Sequence, residues 1–402
     1  MSCVHSIAFL KNVVQPYAWG STTAIPRLLG IPNPTAAPQA ELWMGAHPKA
    51  PSLVETEDRW MPLDELIRSC PDAVLGPRAA AAFDRTLPFL FKVLAAAKPL
   101  SLQAHPGREH AREGFERENR SGLSMDSPQR NYRDPHHKPE CVCALTPFSV
   151  LCGFRPPAEV LEKLRALCPR ELREEIAAFA AHCNAAGLKQ LFGRLLSLDP
   201  RRRSNALAEA VSAVAGSRDD APGWVPLLAE HYPDDIGVLA PALLNLLRLE
   251  PGQALFLPEG VLHSYLEGTA IEIMANSDNV VRGGLTPKHV DLPELFKVVA
   301  FDSRAVQRVR TENRDPAEAV YLTPAAEFAL SCIHLPAGSS FRSRAERNVE
   351  ILLCLDGKAV ARELAPAGRE VGIARGSCVL VPAAAPAYRL TGPATLYKAT
   401  VP

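Results

Sequence analysis

No pair of cysteines in this 402-residue chain has CxxC spacing, which removes the commonest thiolate frame for a structural zinc or redox site. Charge of one sign is missing too. The 44 Lys and Arg balance 44 Asp and Glu, so nothing in the totals supports a nucleic-acid partner or a basic membrane surface. No stretch approaches the ~18–20 unbroken apolar residues of a membrane span. The opening MSCVHSIAFLKNVVQPYAWG lacks a basic n-region and holds only one short apolar run, so no signal peptide is expected and the compartment reads as cytoplasmic. The ten cysteines (Cys3, Cys70, Cys141, Cys143, Cys152, Cys168, Cys183, Cys332, Cys354 and Cys378) are therefore expected as reduced, mostly buried thiols. Cys141 and Cys143 share one face of a strand, which suits packing better than metal binding.

What is present is a globular composition, 47% hydrophobic, on a chain longer than one compact core usually holds. Residues 1–60 read as short strands broken by proline and glycine, and 61–84 as one or two short helices. In LPFLFKVL the residues Phe89, Phe91 and Val93 alternate with Leu90, Lys92 and Leu94, a strand with a charge inside it. Gln103-Ala104-His105 sets two metal-capable side chains on one face of a strand. A polar excursion from Gly107 to Asp134 follows, with GREHAREGFEREN as a short helix; excursions of that length are usually functional or mobile. The chain re-enters a strand at Asp134-Pro135-His136-His137-Lys138-Pro139-Glu140. From Arg155 to about Leu249 apolar residues recur at helical spacing (Val160, Leu161, Leu164; Leu188, Leu191, Phe192, Leu195), which predicts a helical block. The last ninety or so residues return to strands.

The stretch Pro251–Asp291 concentrates the chemistry. Ala254–Leu257 is an apolar run of strand length, and Pro258 and Gly260 turn it into a second strand that carries His263 and Tyr265 on one face. A histidine fixed by such a corner is held as a metal ligand needs to be, although a lone histidine more often just closes a hairpin. Glu272, Asn276, Asp278, Arg282 and Lys288 follow within 25 residues of His263, more ionisable groups than a core hairpin carries. The spacing Gly252–Pro258–Gly260–His263 recurs as Gly376–Pro382–Ala384–Ala387 at an offset of 124. That echo points to a repeated β-barrel unit whose second copy has no histidine at the corner.

Gln103, His105, Glu140 and His263 make a plausible set of four ligands, suited to zinc or to ferrous iron on donor type alone. Taken singly, each is as readily a surface or hairpin residue. The segments PYAWGS, ELWMGAHP, KPLSLQAHP, DPHHKPE and LFLPEGVLHSYLEGTAIEIMANSDNVVRGGLTPKHVD resemble, in order, the motifs of the type I phosphomannose isomerases. The resemblance implies a mainly β fold: two cupin-type (jelly-roll) β-barrels with an inserted α-helical domain. It divides the chain into a catalytic barrel from 1–154 plus 251–310, a helical insertion at 155–250, and a C-terminal barrel at 311–402 without metal ligands. It implies one Zn2+ per chain on Gln103, His105, Glu140 and His263. Glu267 stands where the second cupin motif often ends in asparagine. Segments 107–133, 155–250 and 320–402 carry no motif that matches in detail.

The implied reaction interconverts mannose 6-phosphate and fructose 6-phosphate by moving a proton between C2 and C1 through an enediol(ate). Arg282 matches the family's active-site arginine, to stabilise the enediolate or grip the phosphate. Lys288, Ser101 and Lys92 are phosphate candidates, and Trp19 is a pocket-wall candidate. Glu272 is the first choice of base, with Lys138 and Tyr265 as the other acid–base candidates; the plainer reading of Glu272 is a salt bridge to Arg282. Two other readings compete: a non-catalytic cupin that binds a sugar phosphate, and an iron-dependent cupin dioxygenase on His105, Glu140 and His263. His105, Glu140, Arg282 and Lys288 together argue against the first, and the cations argue against an uncharged substrate. The expected partner is a small sugar phosphate and the expected state a monomer, with no nucleic acid and no membrane.

Overall fold

The computed structural model describes residues 4–57, 59–168, 170–214, 221–303 and 306–402. Two antiparallel sheets with a helical block carried on the first make up these residues, the mainly β architecture with a helical insert that the sequence predicts. The first sheet is built around the long strand His263–Ala275. It pairs with Phe89–Ala96 on one side and with Glu140–Ala144 and Phe148–Phe154 along the other, and its start touches Leu102–Ala104. The strand Phe89–Ala96 is buried along its whole length, so it reads as a near-continuous apolar run with the single charge of Lys92 in it.

The second sheet runs through Glu318–Tyr321, Ala329–Leu335, Ala394–Thr400, Glu350–Glu363 and Cys378–Val381. The repeat seen in the sequence is real at the level of structure. The offset that relates Gly252 to Gly376 also relates the strands Ala254–Leu257 and Cys378–Val381. Both glycines sit in the left-handed region, at φ +85° and +82°, which explains why glycine opens each copy.

Two assignments made from sequence differ from the structure. Strands Ala8–Lys11, Leu53–Glu55 and Trp60–Pro62 lie in the second sheet, with Ala8–Lys11 paired to Cys378–Val381, whereas the sequence assigns residues 1–154 to the first barrel. Strand patterns disclose that a strand exists and not which partner it finds. Leu244–Leu249, read as the end of the helical block, is a strand on the edge of the first sheet, beside Phe148–Phe154. A short apolar run does not separate the two states by periodicity alone.

The helical block comprises the α-helices between Pro157 and Leu243. Val160, Leu164, Leu188, Leu191, Phe192 and Leu195 are all buried, in one core shared with Leu102, Ala104 and Leu262 next to the site. Asn184 accepts a hydrogen bond from Gly187 N, and Asp199 accepts from Arg201 N and Arg202 N, so two helix starts are capped by their own side chains. The polar excursion is equally well built. Its helix, Arg108–Arg120, carries Glu118, whose carboxylate accepts from the backbone of Asn131 and Tyr132 at 3.2 and 2.9 Å.

Cys141, Cys143, Cys152, Cys168, Cys183, Cys332, Cys354 and Cys378 are free thiols, all buried except exposed Cys183 and half-buried Cys332. Cys70 is disulfide-bonded, against the expectation of reduced thiols throughout; approach in space, which spacing along the chain does not encode, decides such pairings. Cys3 lies outside the described residues. None of the described helices is long and apolar enough to cross a membrane.

Candidate active site

Strand register assembles the site. Gln103 is the Cα partner of His263 on one side and of Arg282 on the other, so His263, Gln103 and Arg282 form a row across three strands. Residues directly opposite in an antiparallel pair share a face. The corner before His263 is held by Gly260, at φ +76°, whose N–H donates to the His105 carbonyl at 2.9 Å. Glu140 opens the strand that runs beside Ala254–Leu257 and His263–Ala275. The result is a cluster of His105, Glu140 and His263 with all three candidate ligand atoms within 4.8 Å of one another.

The hydrogen bonding of this cluster fits a cation. Nδ1 of His105 meets the Asn279 carbonyl at 2.8 Å, and Nδ1 of His263 meets the Val261 carbonyl at 2.9 Å. A carbonyl only accepts, so each Nδ1 carries the proton and each Nε2 presents a lone pair. Both Nε2 atoms are buried with no hydrogen-bond partner. They face the two oxygens of Glu140 at 3.2 and 3.4 Å. Two lone pairs aimed at a carboxylate repel one another unless a positive charge lies between them. Burial, followed by the charge of Lys138, pushes His105 down to about 4, so its imidazole is neutral at pH 7. Burial raises Glu140, but Lys138 and the His105 contact outweigh it and hold the carboxyl well below its ordinary range. Two imidazoles and a carboxylate are the donor set of a catalytic zinc or of ferrous iron.

Around the cluster the remaining candidates fall into two groups. In the first, Lys138 Nζ lies 2.9 Å from Glu140 Oε1, and the Tyr265 hydroxyl donates to Glu140 Oε2 at 3.4 Å. Glu272 is buried and pairs with Lys92, Nζ to Oε2 3.0 Å, and not with Arg282. Glu41 completes this pair at 3.4 Å from the same Nζ. Burial raises the Glu272 carboxyl, Lys92 opposes that, and Glu140 and Glu41 add to it, so the group sits above its ordinary value. Tyr265 is raised well above its ordinary range, first by burial and then by Glu272 and Glu140. Lys92 is therefore tied up by carboxylates and does not join the free cations.

The second group is cationic. Burial and the nearby Arg133 guanidinium both lower Arg282, and burial, Arg282 and Arg133 together lower Lys288. Neither Arg282 nor Lys288 has a carboxylate partner among the described residues. Arg133 spends its guanidinium on the carbonyls of Met125 and Ser127. Ser101 is half-buried near the start of the Gln103 strand, and Trp19 is half-buried in a turn where it stacks on Tyr17 at 5.9 Å. Sequence reasoning missed Arg133, Glu41 and Asn279. Glu41 and Asn279 lie inside the matched motifs and Arg133 adjoins one, so the signal was present without a role attached.

Comparison with known proteins agrees with this geometry. Residues 7–157 match the family described as phosphomannose isomerase type I, catalytic domain. The mannose-6-phosphate isomerase of Salmonella typhimurium is 42% identical over 356 residues, 88% of this chain and 90% of its own. That of Homo sapiens is 36% identical over 382 residues, 88% of either chain. A crystal structure of mannose 6-phosphate isomerase with zinc bound superposes with TM-score 0.91 at 38% identity, covering 98% of this chain and 99% of that one. With likeness of this degree along most of its length, the chain belongs to the type I phosphomannose isomerase family.

Proposed function

We propose that this protein is a zinc-dependent aldose–ketose isomerase that interconverts D-mannose 6-phosphate and D-fructose 6-phosphate. The observation that carries the reading is the buried His105–Glu140–His263 cluster, with its two unpartnered Nε2 atoms, in register through Gln103 with Arg282. His105, Glu140 and His263 would hold the ion, with Gln103 as a fourth ligand. Bound there, zinc supplies Lewis acidity toward the sugar oxygens.

The chain's own residues do the rest. Arg282, Lys288 and Arg133 offer positive charge without a competing carboxylate, which favours an anionic phosphate and fixes the far end of the sugar; Ser101 is the candidate hydroxyl donor, and Trp19 is kept as a wall residue. Glu272 is the base that takes the proton from C2 and returns it to C1. Its raised carboxyl makes it a stronger base, while Lys92 keeps it ionised. As the C2 proton leaves, the C1 carbonyl oxygen gains charge; on return of the proton to C1, the C2 hydroxyl gives up its own proton and becomes the ketone. Lys138 and Tyr265, both within reach of Glu140, are the candidates to protonate the C1 oxygen, and the proton that the C2 hydroxyl gives up restores whichever of them has donated; Arg282 is the cation in register with Gln103 and His263.

The test is turnover of mannose 6-phosphate before chelation, after it, and after zinc is restored. Activity should vanish with the chelator and return with zinc. A zinc-loaded protein that does not isomerise the substrate removes the reading.

A further inference from the structure

Asn279 is fully buried and lies in the turn between the strands His263–Ala275 and Val281–Gly284. Every polar group it has is engaged. Its backbone carbonyl accepts from His105 Nδ1 at 2.8 Å. Its side-chain Oδ1 accepts from the backbone N–H of Arg133 and of Asp134, at 2.7 and 3.3 Å. Its Nδ2 donates to the carbonyls of Asp134 and His136, each at 2.8 Å, and approaches Asp134 Oδ1 at 3.3 Å. Its own N–H donates to Ser277 Oγ at 3.2 Å. With two N–H groups on one side and two carbonyls on the other, the orientation of the amide is fixed by its partners.

These bonds reach two different parts of the site. Through the carbonyl, Asn279 sets the tautomer and ring plane of His105, a member of the metal cluster. Through the amide, it grips the segment 133–138, which begins with Arg133 and ends with Lys138, 2.9 Å from Glu140. Asp134 braces the same turn a second time: its carboxylate accepts from Ser277 Oγ and from Asp278 N, both at 2.8 Å. The metal end and the cationic end of the site therefore hang from one buried residue, the first from its backbone carbonyl and the second from its side chain, and that residue is not itself in the metal cluster.

We propose that Asn279 is a positioning residue that locks the His105 imidazole and the 133–138 segment into one register, so that the metal pocket and the anion-binding end form together. The metal arm stands on geometry alone; the anion arm rests on the isomerase reading. Ligand imidazoles held by an orienting acceptor typically lose 10–100-fold in metal affinity when that support is disturbed. An aspartate at this position keeps the shape but aims a carboxylate oxygen at two carbonyls 2.8 Å away, which ejects the segment.

The test uses Asn279→Asp and Ser277→Ala in the full chain, with three readouts: zinc affinity by competition with a chromogenic chelator, affinity for inorganic phosphate by calorimetry, and KM and kcat for mannose 6-phosphate. Asn279→Asp is expected to weaken zinc and phosphate binding by about tenfold or more each and to raise KM. Ser277→Ala removes the Asp134 and His136 ties and the acceptor of the Asn279 N–H, but leaves the Asn279 carbonyl on His105 Nδ1 in place, so it should weaken phosphate binding and raise KM while zinc affinity stays within about twofold. The proposal is overturned if folded Asn279→Asp binds both zinc and phosphate like the parent and loses only thermal stability. It is also overturned if Ser277→Ala shifts zinc and phosphate equally or neither, and that variant decides the matter should Asn279→Asp not fold. Zinc and phosphate affinities do not depend on turnover, so a parent that fails to isomerise is told apart from a failed coupling.

Discussion

Lys92 and Glu272 stand directly opposite each other on paired strands, both buried, with Nζ 3.0 Å from Oε2. The ammonium also faces Glu41, so one cation offsets two carboxylates inside the barrel. Removing it leaves buried negative charge without compensation. Lys92→Met should cost about 3–5 kcal/mol in urea unfolding. The Glu272 carboxyl, freed of the cation that lowers it, should rise further. If Glu272 is the base, the acid limb of kcat/KM then moves to higher pH, since a base works only when ionised. A limb that stays in place takes Glu272 off the list of bases.

His263→Ala removes one of the two unpartnered Nε2 atoms. Bound zinc, read by metal analysis after gel filtration, should fall to a small fraction of the chain concentration, and activity with it. A variant that keeps both metal and full turnover refutes the ligand set.

Arg282→Ala should leave zinc content unchanged, because Arg282 is not in the metal cluster. One charge-assisted hydrogen bond is worth about 1.5–3 kcal/mol, so kcat/KM should drop by one to two orders of magnitude. Competitive inhibition by inorganic phosphate should weaken in parallel. Unchanged kcat/KM removes Arg282 from the site.

Glu327, which holds His137 of the 133–138 segment, gives an acid-stability signature. Burial alone would raise its carboxyl, but the His137 contact at 2.7 Å and the Arg108 charge at 3.0 Å bring it down to about 2. A carboxyl lowered in the folded state stabilises the fold above the ordinary carboxylate range, and that stability is lost as pH falls toward 2. In chelator-treated protein, Glu327→Gln should flatten the fall in melting temperature between the ordinary carboxylate range and about pH 2. An acid limb identical to that of the parent would mean that this triad contributes nothing.

The parts of the site that sit on regular strands were legible from spacing. Gln103 and His105 share a face because they are two residues apart, and the Pro258–Gly260 corner announced His263. The strand offset of 124 residues likewise came from glycine positions whose left-handed backbone leaves a mark in sequence. Electrostatic partnership was not legible. Nothing in the pattern around Glu272 says that its neutralising cation is Lys92, 180 residues away, in place of Arg282, ten residues on. Nor does a polar segment such as 130–138 reveal that its backbone is satisfied by a distant asparagine. Such bonds depend on which strands become neighbours, and the partners of Ala8–Lys11 show how little of that is local.

That first strand carries a consequence for biosynthesis. Ala8–Lys11 finds Leu53–Glu55 early, but its other neighbour, Cys378–Val381, lies near the opposite end of the chain. At synthesis rates of about 5–20 residues per second, one edge of it stays open for roughly 20–75 s. The first sheet, whose last strand ends at Gly284, has all its residues before then. A nascent chain therefore holds the residues of the metal cluster while its first strand still presents an unpaired edge, and a ribosome stalled ahead of Cys378 would display that edge to any other chain within reach.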